Sequence, residues 1–368
     1  MKEKKKVLHI VEAMGGGVFT YLVELANGMS DEFDITIAFG MRKETPQNYF
    51  NYFEESIKII KVNNFTRELN LVKDVKSYFE LKDIIREVNP DIIHMHSSKA
   101  GALGRLVFGL KKVKMFYTPH GYSFLMDNES TLKRKIYETI EKILGKRKCL
   151  TVACGKSEWE QSTAVTRHST YISNGINIEK IKNNLMQADV TSETADIKKP
   201  GFTVYTVGRI DYQKWPELFN QIAERLPHIN FVWIGDGDLR EKLTATNITV
   251  TGWMENQIAM KLAGEFDAFI LASRYEGLPI SLLEAMYMKK VCIVSNVPGN
   301  RDVIKNDYNG YICDDVEQFV SAISEVERGV DLKLIDRAYK DILEQYNSEC
   351  LCNGYRKLYK ESGNEWVK

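Results

Sequence analysis

Gln187-Ala188-Asp189-Val190-Thr191-Ser192-Glu193-Thr194-Ala195-Asp196-Ile197-Lys198-Lys199-Pro200-Gly201 is polar in character, lacks apolar periodicity and ends on a Lys-Lys-Pro-Gly turn signal. What flanks it decides the fold. Upstream, short β-rich runs at Lys6–Val11, Asp34–Phe39, Ile57–Val62, Ile92–His96, Met115–Thr118 and Thr151–Ala153 alternate with helical patterns. Among the helices, Val18–Met29 gathers Phe19, Leu22, Leu25 and Ala26 on one face, and Tyr78–Val88 and Gly101–Leu110 follow. Downstream the alternation starts again, with strands expected at Phe202–Val207, Phe231–Ile234, Ile248–Thr251, Ala268–Leu271, Val291–Val294 and Gly310–Ile312. Helices are expected at Pro216–Arg225, Leu239–Thr244, Gln257–Glu265 and Ser281–Met288. Repeated β-α-β calls for parallel sheets wrapped by helices, so the chain reads as α/β with two Rossmann-like domains joined by a linker. A length of 368 residues agrees with two domains.

Composition narrows the function classes. The chain is 44% hydrophobic and 27% charged, an ordinary globular mixture. Lys+Arg and Asp+Glu both number 50, so bulk attraction to nucleic acid is not expected. No apolar run reaches the roughly 18 residues of a membrane helix, and the basic start is not followed by a signal-like segment. Six cysteines without a C-x-x-C pair read as reduced thiols in a cytoplasmic protein. The zero net charge conceals an asymmetry: residues 1–195 hold 29 Lys/Arg against 24 Asp/Glu. Thr131–Cys149 alone carries seven basic residues against two acidic ones, with Leu132, Ile136, Ile140, Ile143 and Leu144 on one side. Such a helix is either a solvated face or a surface that lies on anionic lipid.

Ligands of open α/β sheets bind at the carboxyl ends of strands, so the strand-to-helix turns carry the chemistry. Gly15-Gly16-Gly17 follows the first strand and opens a helix. It either lets backbone amides approach a phosphate or merely makes a tight turn; the third glycine of a dinucleotide fingerprint is missing, and no acidic residue ends the second strand. His94 and His96 share a strand face, and His120 closes the next strand; a cleft-facing hydrogen bond from His120 is favoured over a metal site. Gly208-Arg209-Ile210, with Lys214 five residues after Arg209, places a guanidinium and an ammonium where a diphosphate would sit, unless they are a plain surface pair. The strongest signal is Glu276-Gly277-Leu278-Pro279-Ile280-Ser281-Leu282-Leu283-Glu284. Pro279 suits a helix start, the amides of Ile280, Ser281 and Leu282 form an anion cradle, and Glu284 lies about one turn in. Asp236-Gly237-Asp238 reads as a turn and helix cap rather than a metal pair.

Together these segments, with Asn174-Gly175-Ile176 and the His94-x-His96-Ser97-Ser98-Lys99-Ala100-Gly101 run, resemble the family 4 glycosyltransferases, retaining sugar-nucleotide enzymes of the GT-B architecture. The His-x-His version is similar to bacterial enzymes of capsule, exopolysaccharide and O-antigen synthesis. The resemblance implies two Rossmann-like domains facing each other across a cleft, 1–195 for the acceptor and 196–346 for the sugar nucleotide, with 347–368 packing back on the first. It implies that Arg209 and Lys214 neutralise the donor diphosphate, Glu276 binds the donor sugar and Glu284 the ribose. Trp253 and Met254 would hold the base by their backbone, Gly16 and Gly17 would admit the diphosphate, and His120 would bond the sugar near its reacting carbon. Gly277, Leu278 and Pro279 complete the donor loop, and His96 and Lys99 belong to the acceptor side. No metal and no cofactor are required; the UDP-sugar is a co-substrate. Two departures stand out: Ser173 where the family often has proline, and Trp215-Pro216 where glycine commonly follows the lysine. Without an evident carboxylate nucleophile, front-face retention is expected. The implied activity is transfer of a hexose or N-acetylhexosamine from a UDP-sugar to a lipid-linked saccharide, by a cytoplasmic enzyme peripheral to the inner membrane face. The alternatives are a GT-B UDP-N-acetylglucosamine 2-epimerase and a non-catalytic sugar-nucleotide-binding partner of another transferase.

Overall fold

The structure, a computed structural model, describes residues 3–361 except 13, 43–44, 67–69, 109–112, 127–128, 188–196 and 198. Its contacts divide the chain into two units, Met1–Asn174 with Ser348–Lys368, and Gly175–Asn347. The boundary expected at 195/196 lies outside the described residues.

The first unit carries β1 (Lys5–Val11), α1 (Gly16–Asn27), β2 (Phe33–Phe39), β3 (Lys58–Lys61), α2 (Leu71–Val88), β4 (Ile92–His96), α3 (Ser98–Phe108), β5 (Lys114–Thr118), α4 (Thr131–Leu144), β6 (Leu150–Ala153), α5 (Lys156–Thr163) and β7 (Ser169–Tyr171). Its seven strands run parallel in the order β3-β2-β1-β4-β5-β6-β7, with Val7 opposite Ile92 and Val11 opposite His96. Strand β1 is buried from Val7 onward because helices cover both faces, which accounts for its near-continuous apolar run. His9 is the polar exception.

The second unit holds α6 (Ile178–Gln187), β8 (Thr203–Val207), α7 (Pro216–Arg225), β9 (Asn230–Ile234), β10 (Ile248–Val250), α8 (Asn256–Gly264), β11 (Ala268–Leu271), α9 (Ile280–Tyr287), β12 (Val291–Ser295), α10 (Pro298–Val303), β13 (Tyr311–Cys313), α11 (Val316–Arg328) and α12 (Leu332–Glu344). Six parallel strands are ordered β10-β9-β8-β11-β12-β13. Strand order therefore reverses beside β1 in one sheet and beside β8 in the other, the switch points at which such sheets bind ligands. Helix α6 belongs to this unit: Lys261 of α8 donates to the Leu185 carbonyl at 2.7 Å.

Helix α13 (Ser348–Glu361) returns to the first unit. Its Leu351, Tyr355 and Tyr359 share a core with Val7, Val11 and the Phe19, Leu22, Leu25 and Ala26 face of α1. Tyr21 donates to Tyr355 at 2.6 Å, and Ser348 to Glu24 at 2.9 Å. On the other sheet face, Leu8 and Ile10 meet Leu81 and Ile85 of α2 and Ala100 of α3. Gly101 is required there, because a Cβ would stand 2.3 Å from the Tyr117 ring.

Three elements differ from expectation. The helix expected over Leu239–Thr244 is a 3-10 turn at Arg240–Lys242. Helix α3 starts at Ser98 rather than Gly101, and α2 at Leu71, where Asn70 caps it by accepting from the Lys73 amide. No helix among the described residues is long and apolar enough to cross a membrane.

Candidate active site

In the second unit the expected donor residues converge on the carboxyl ends of β8 and β11. Gly208 takes φ +149° and abuts the β9 exit, where a Cβ on Gly235 would meet the Gly208 carbonyl at 2.2 Å. Arg209 pairs with Asp211 at 3.2 Å. Asp211 then accepts the Lys214 amide at 3.1 Å, turning the chain so that Lys214 points back toward the β11 loop. Lys214 Nζ donates to Glu276 Oε1 at 2.6 Å. That oxygen also accepts from Ser273 at 2.6 Å, while Oε2 accepts from Gln213 at 3.2 Å. A carboxylate with three side-chain donors, only 5% exposed, is locked in one orientation.

The turn Gly277-Leu278-Pro279 leads straight into α9, for which Pro279 is the N-cap at φ −74°. Gly299 lies against this turn so closely that a Cβ there would touch the Gly277 carbonyl at 2.1 Å. The first amides of α9, on Ile280, Ser281 and Leu282, have no intrahelical acceptor by position. Glu284 is one turn in and half-buried. Trp253 is exposed and Met254 half-buried in the loop after β10, which a Gly235–Gly252 bridge ties to the β9 end.

Trp215, where the family commonly has glycine, adopts φ +48°, ψ +61°, the left-handed conformation glycine takes most easily. Its ring stacks on the Arg274 guanidinium at 4.3 Å, with Tyr212 on the other contact at 4.4 Å. Aspartates 236 and 238 form a turn, in which Asp236 accepts the Gly237 amide and pairs with Arg240.

In the first unit Gly16, at φ +57°, and Gly17 are exposed at the start of α1. Lys99 in the first turn of α3 pairs with Asp74 at 2.6 Å. His120, at φ +53° beyond β5, has both ring nitrogens engaged: Nε2 with His96 Nδ1 at 3.2 Å and Nδ1 with Cys154 Sγ at 3.3 Å. His96 Nε2 continues to His9 Nδ1 at 3.0 Å. Burial holds His9 and His120 down at about 3, and His94 and His96 well below the usual histidine range, so all four rings are neutral. A neutral imidazole donates at one nitrogen and accepts at the other, so the chain from His9 to Cys154 is directional. Ring nitrogens of His9, His94 and His96 approach within 4.8 Å of one another. His94 commits both of its own to Tyr359 and Thr118, and His96 both to its histidine neighbours.

Sequence reasoning missed the residues that position these groups. Gln213 and Ser273 orient Glu276, and the buried Glu158 accepts the Gly121 and Cys154 amides at 2.6 Å each, fixing the His120 turn. His9 was detectable as a histidine inside an apolar strand, as His94 and His96 are in theirs; Gln213, Ser273 and Glu158 carry no such signal.

Family models match both parts of the chain: "Glycosyltransferase Family 4" over residues 15–180 and "Glycosyl transferases group 1" over 201–328. A UDP-Gal:alpha-D-GlcNAc-diphosphoundecaprenol alpha-1,3-galactosyltransferase of Escherichia coli is 30% identical over 88% of this chain and 88% of that protein. An N,N'-diacetylbacillosaminyl-diphospho-undecaprenol alpha-1,3-N-acetylgalactosaminyltransferase of Campylobacter jejuni is 25% identical over 94% and 96%. Among solved structures, sucrose-phosphate synthase of Thermosynechococcus elongatus superposes with a TM-score of 0.83 at 15% identity, covering 97% of this chain and 99% of that one. The GT-B fold is shared, and the epimerase alternative finds no support in these matches. The chain is a glycosyltransferase and belongs to glycosyltransferase family 4.

Proposed function

We propose that the enzyme transfers a hexose or N-acetylhexosamine from a UDP-sugar to a saccharide carried on a polyprenyl diphosphate, with retention and without a metal, in the assembly of a bacterial surface polysaccharide. One observation carries the donor half of this reading: Lys214 held 2.6 Å from a Glu276 locked by Ser273 and Gln213, at a strand end beside a helix start. The acceptor half is supported by the two relatives whose names specify undecaprenol diphosphate-linked acceptors.

The chemistry follows from charge. As the bond from the anomeric carbon to the β-phosphate oxygen breaks, negative charge builds on the diphosphate. Arg209, Lys214 and the first amides of α9 are preorganised to receive it. Glu276 steers the sugar hydroxyls and Glu284 the ribose, while the backbone at Trp253 and Met254 takes the base. The acceptor hydroxyl attacks from the side the phosphate leaves. Its proton passes to the departing phosphate oxygen, and the new bond forms on the same face. His120 would reach the sugar by exchanging its weak contact to the Cys154 sulfur for a hydroxyl. Gly16 and Gly17 let backbone approach the diphosphate.

The enzyme would act as a cytoplasmic protein peripheral to the inner membrane face. Helix α4 supports this: Leu132 (71% exposed), Ile136, Ile140 and Ile143 (58%) point outward, among Lys133, Lys135 and Lys142.

Lys214→Ala tests the mechanism. Transfer should fall at least about a hundredfold, as loss of one preorganised donor does, with the fold retained. Near-normal turnover would remove Lys214 from the reaction. Chelator should leave the rate unchanged; inhibition relieved by manganese would refute metal independence.

A further inference from the structure

Ser273 orients the Glu276 carboxylate, and Ser273 is itself held from behind by a hydroxyl that the donor chemistry does not use. The β11–β12 ladder ends at the Leu271–Val294 pair. At the next residue the Ser295 side chain takes over from the backbone. Its Oγ accepts the Ser273 amide at 3.0 Å and donates to the Ser273 carbonyl at 2.7 Å, and it also approaches the Leu271 carbonyl at 3.2 Å. One hydroxyl thus grips the N–H and the C=O of Ser273, which fixes the backbone from which the Ser273 hydroxyl reaches Glu276 Oε1.

Asn300 in α10 supports this clamp. Its Nδ2 donates to the Ser295 carbonyl at 2.9 Å and lies 3.3 Å from Ser295 Oγ. A hydroxyl has one proton and two lone pairs, so Ser273 and Asn300 together saturate Ser295 Oγ. Ser273 and Asn300 are fully buried and Ser295 is 4% exposed, which keeps water from competing for these bonds. Asn300 Oδ1 is buried with no hydrogen-bond partner among the described residues. An unpaired carbonyl is costly in such surroundings, and an apolar side chain of similar size would avoid that cost. Packing alone therefore does not account for an asparagine at 300; what its amide supplies is the contact to Ser295. Gly299 lets α10 lie against the same turn, since a Cβ there would stand 2.8 Å from the Glu276 carbonyl.

We infer that Ser295 is a positioning residue for the donor sugar: backed by Asn300, it fixes the main chain of Ser273, sets the direction of the Glu276 carboxylate and so governs discrimination between sugars that differ at one hydroxyl. The inference rests on the sugar-binding role proposed above for Glu276. It adds two residues that act through Ser273 and Glu276 rather than on the ligand.

Calorimetry on the full-length protein provides the test, with UDP, the epimers UDP-galactose and UDP-glucose, and the corresponding pair of UDP-N-acetylhexosamines as probes. One member of a pair should bind more tightly than its epimer. Ser295→Ala should weaken that preferred UDP-sugar by about tenfold, the loss expected when a buried hydrogen-bonding group is removed, and narrow the gap to its epimer while UDP affinity is retained. Asn300→Leu should do the same to a smaller degree. In a Glu276→Ala background Ser295→Ala should add no further loss, because the group it orients is gone. Equal losses from Ser295→Ala in the two backgrounds would mark a general loosening of the sheet and overturn the inference. Undiminished discrimination in Ser295→Ala, a loss of UDP affinity as large as that of the UDP-sugar, or equal binding of the epimers by the unaltered enzyme would also overturn it. Thermal midpoints check folding; should Ser295→Ala not fold, Asn300→Leu alone and with Glu276→Ala carries the same comparison. If Glu276→Ala leaves every UDP-sugar affinity unchanged, the role of Glu276 itself fails, which separates that reading from this one.

Discussion

Trp215 occupies a left-handed conformation that costs a non-glycine residue roughly 1–2 kcal/mol, in the loop that aims Lys214. Its indole offsets that cost by packing into the second unit's core and by stacking on Arg274. Trp215→Gly would relieve the strain yet lose about 2 kcal/mol or more of aromatic burial and stacking. The variant should therefore be less stable by about 1–2 kcal/mol, read by urea unfolding; a gain in stability would mean that the ring contributes little. The sequence displayed the chemical partners of this site, since Arg209, Lys214, Glu276 and Glu284 announce themselves by type and spacing. It could not display the pairing of Lys214 with Glu276, because 61 residues intervene between them and only the β8–β11 adjacency closes the gap. Gln213 and Ser273 are neutral and common, so their role becomes visible only once Glu276 has a position.

Helix α4 shows what periodicity can and cannot tell. The apolar side was evident from spacing, but spacing does not say whether that side faces a core. The structure turns Leu144 and Glu141 inward, where Glu141 accepts from Arg105 at 2.7 Å and from Tyr117 at 3.0 Å, and leaves Leu132, Ile136, Ile140 and Ile143 in the open. A buried ion pair thus fixes the helix roll and spares four large aliphatic residues from packing. If the spared face meets lipid, Lys135→Glu, Lys146→Glu and Arg147→Glu together should reduce partitioning onto phosphatidylglycerol vesicles by at least about a hundredfold, since each cation near an anionic surface contributes about 1 kcal/mol. Ile136→Ser should weaken binding even at high salt, where screening removes the charge contribution. Undiminished sedimentation with vesicles would leave α4 a solvated face. Elements with weaker patterns escaped sequence reading for related reasons. Helix α5 is Lys-Ser-Glu-Trp-Glu-Gln-Ser-Thr, polar almost throughout, and it is anchored by Glu158 bonding to two backbone amides rather than by an apolar stripe.

At the scale of the whole chain, two repeats of the β-α alternation were enough to specify two parallel sheets, because strands buried on both faces must be apolar along their length. What alternation could not reveal is how unevenly titratable groups are shared between them. Four of the six histidines, His9, His94, His96 and His120, lie neutral inside the first unit; the second unit contains only His228, exposed beside Glu327. In the unfolded chain these four rings titrate near 6.5, whereas burial holds His9 and His120 at about 3 and the other two well below the ordinary value. Between those limits the unfolded state binds more protons than the folded one, so stability is full above about pH 6.5 and declines as pH falls toward 3. Each group contributes a slope of about 1.4 kcal/mol per pH unit once its unfolded form is protonated. Acid should therefore open the first unit before the second. Hydrogen exchange, corrected for intrinsic rates, should show amides of β1, β4 and β5 losing protection between pH 7 and pH 5, while those of β8, β9 and β11 keep theirs. Parallel loss in both sheets would mean that the four imidazoles are hydrated in solution and that the directional chain from His9 to Cys154 does not persist there.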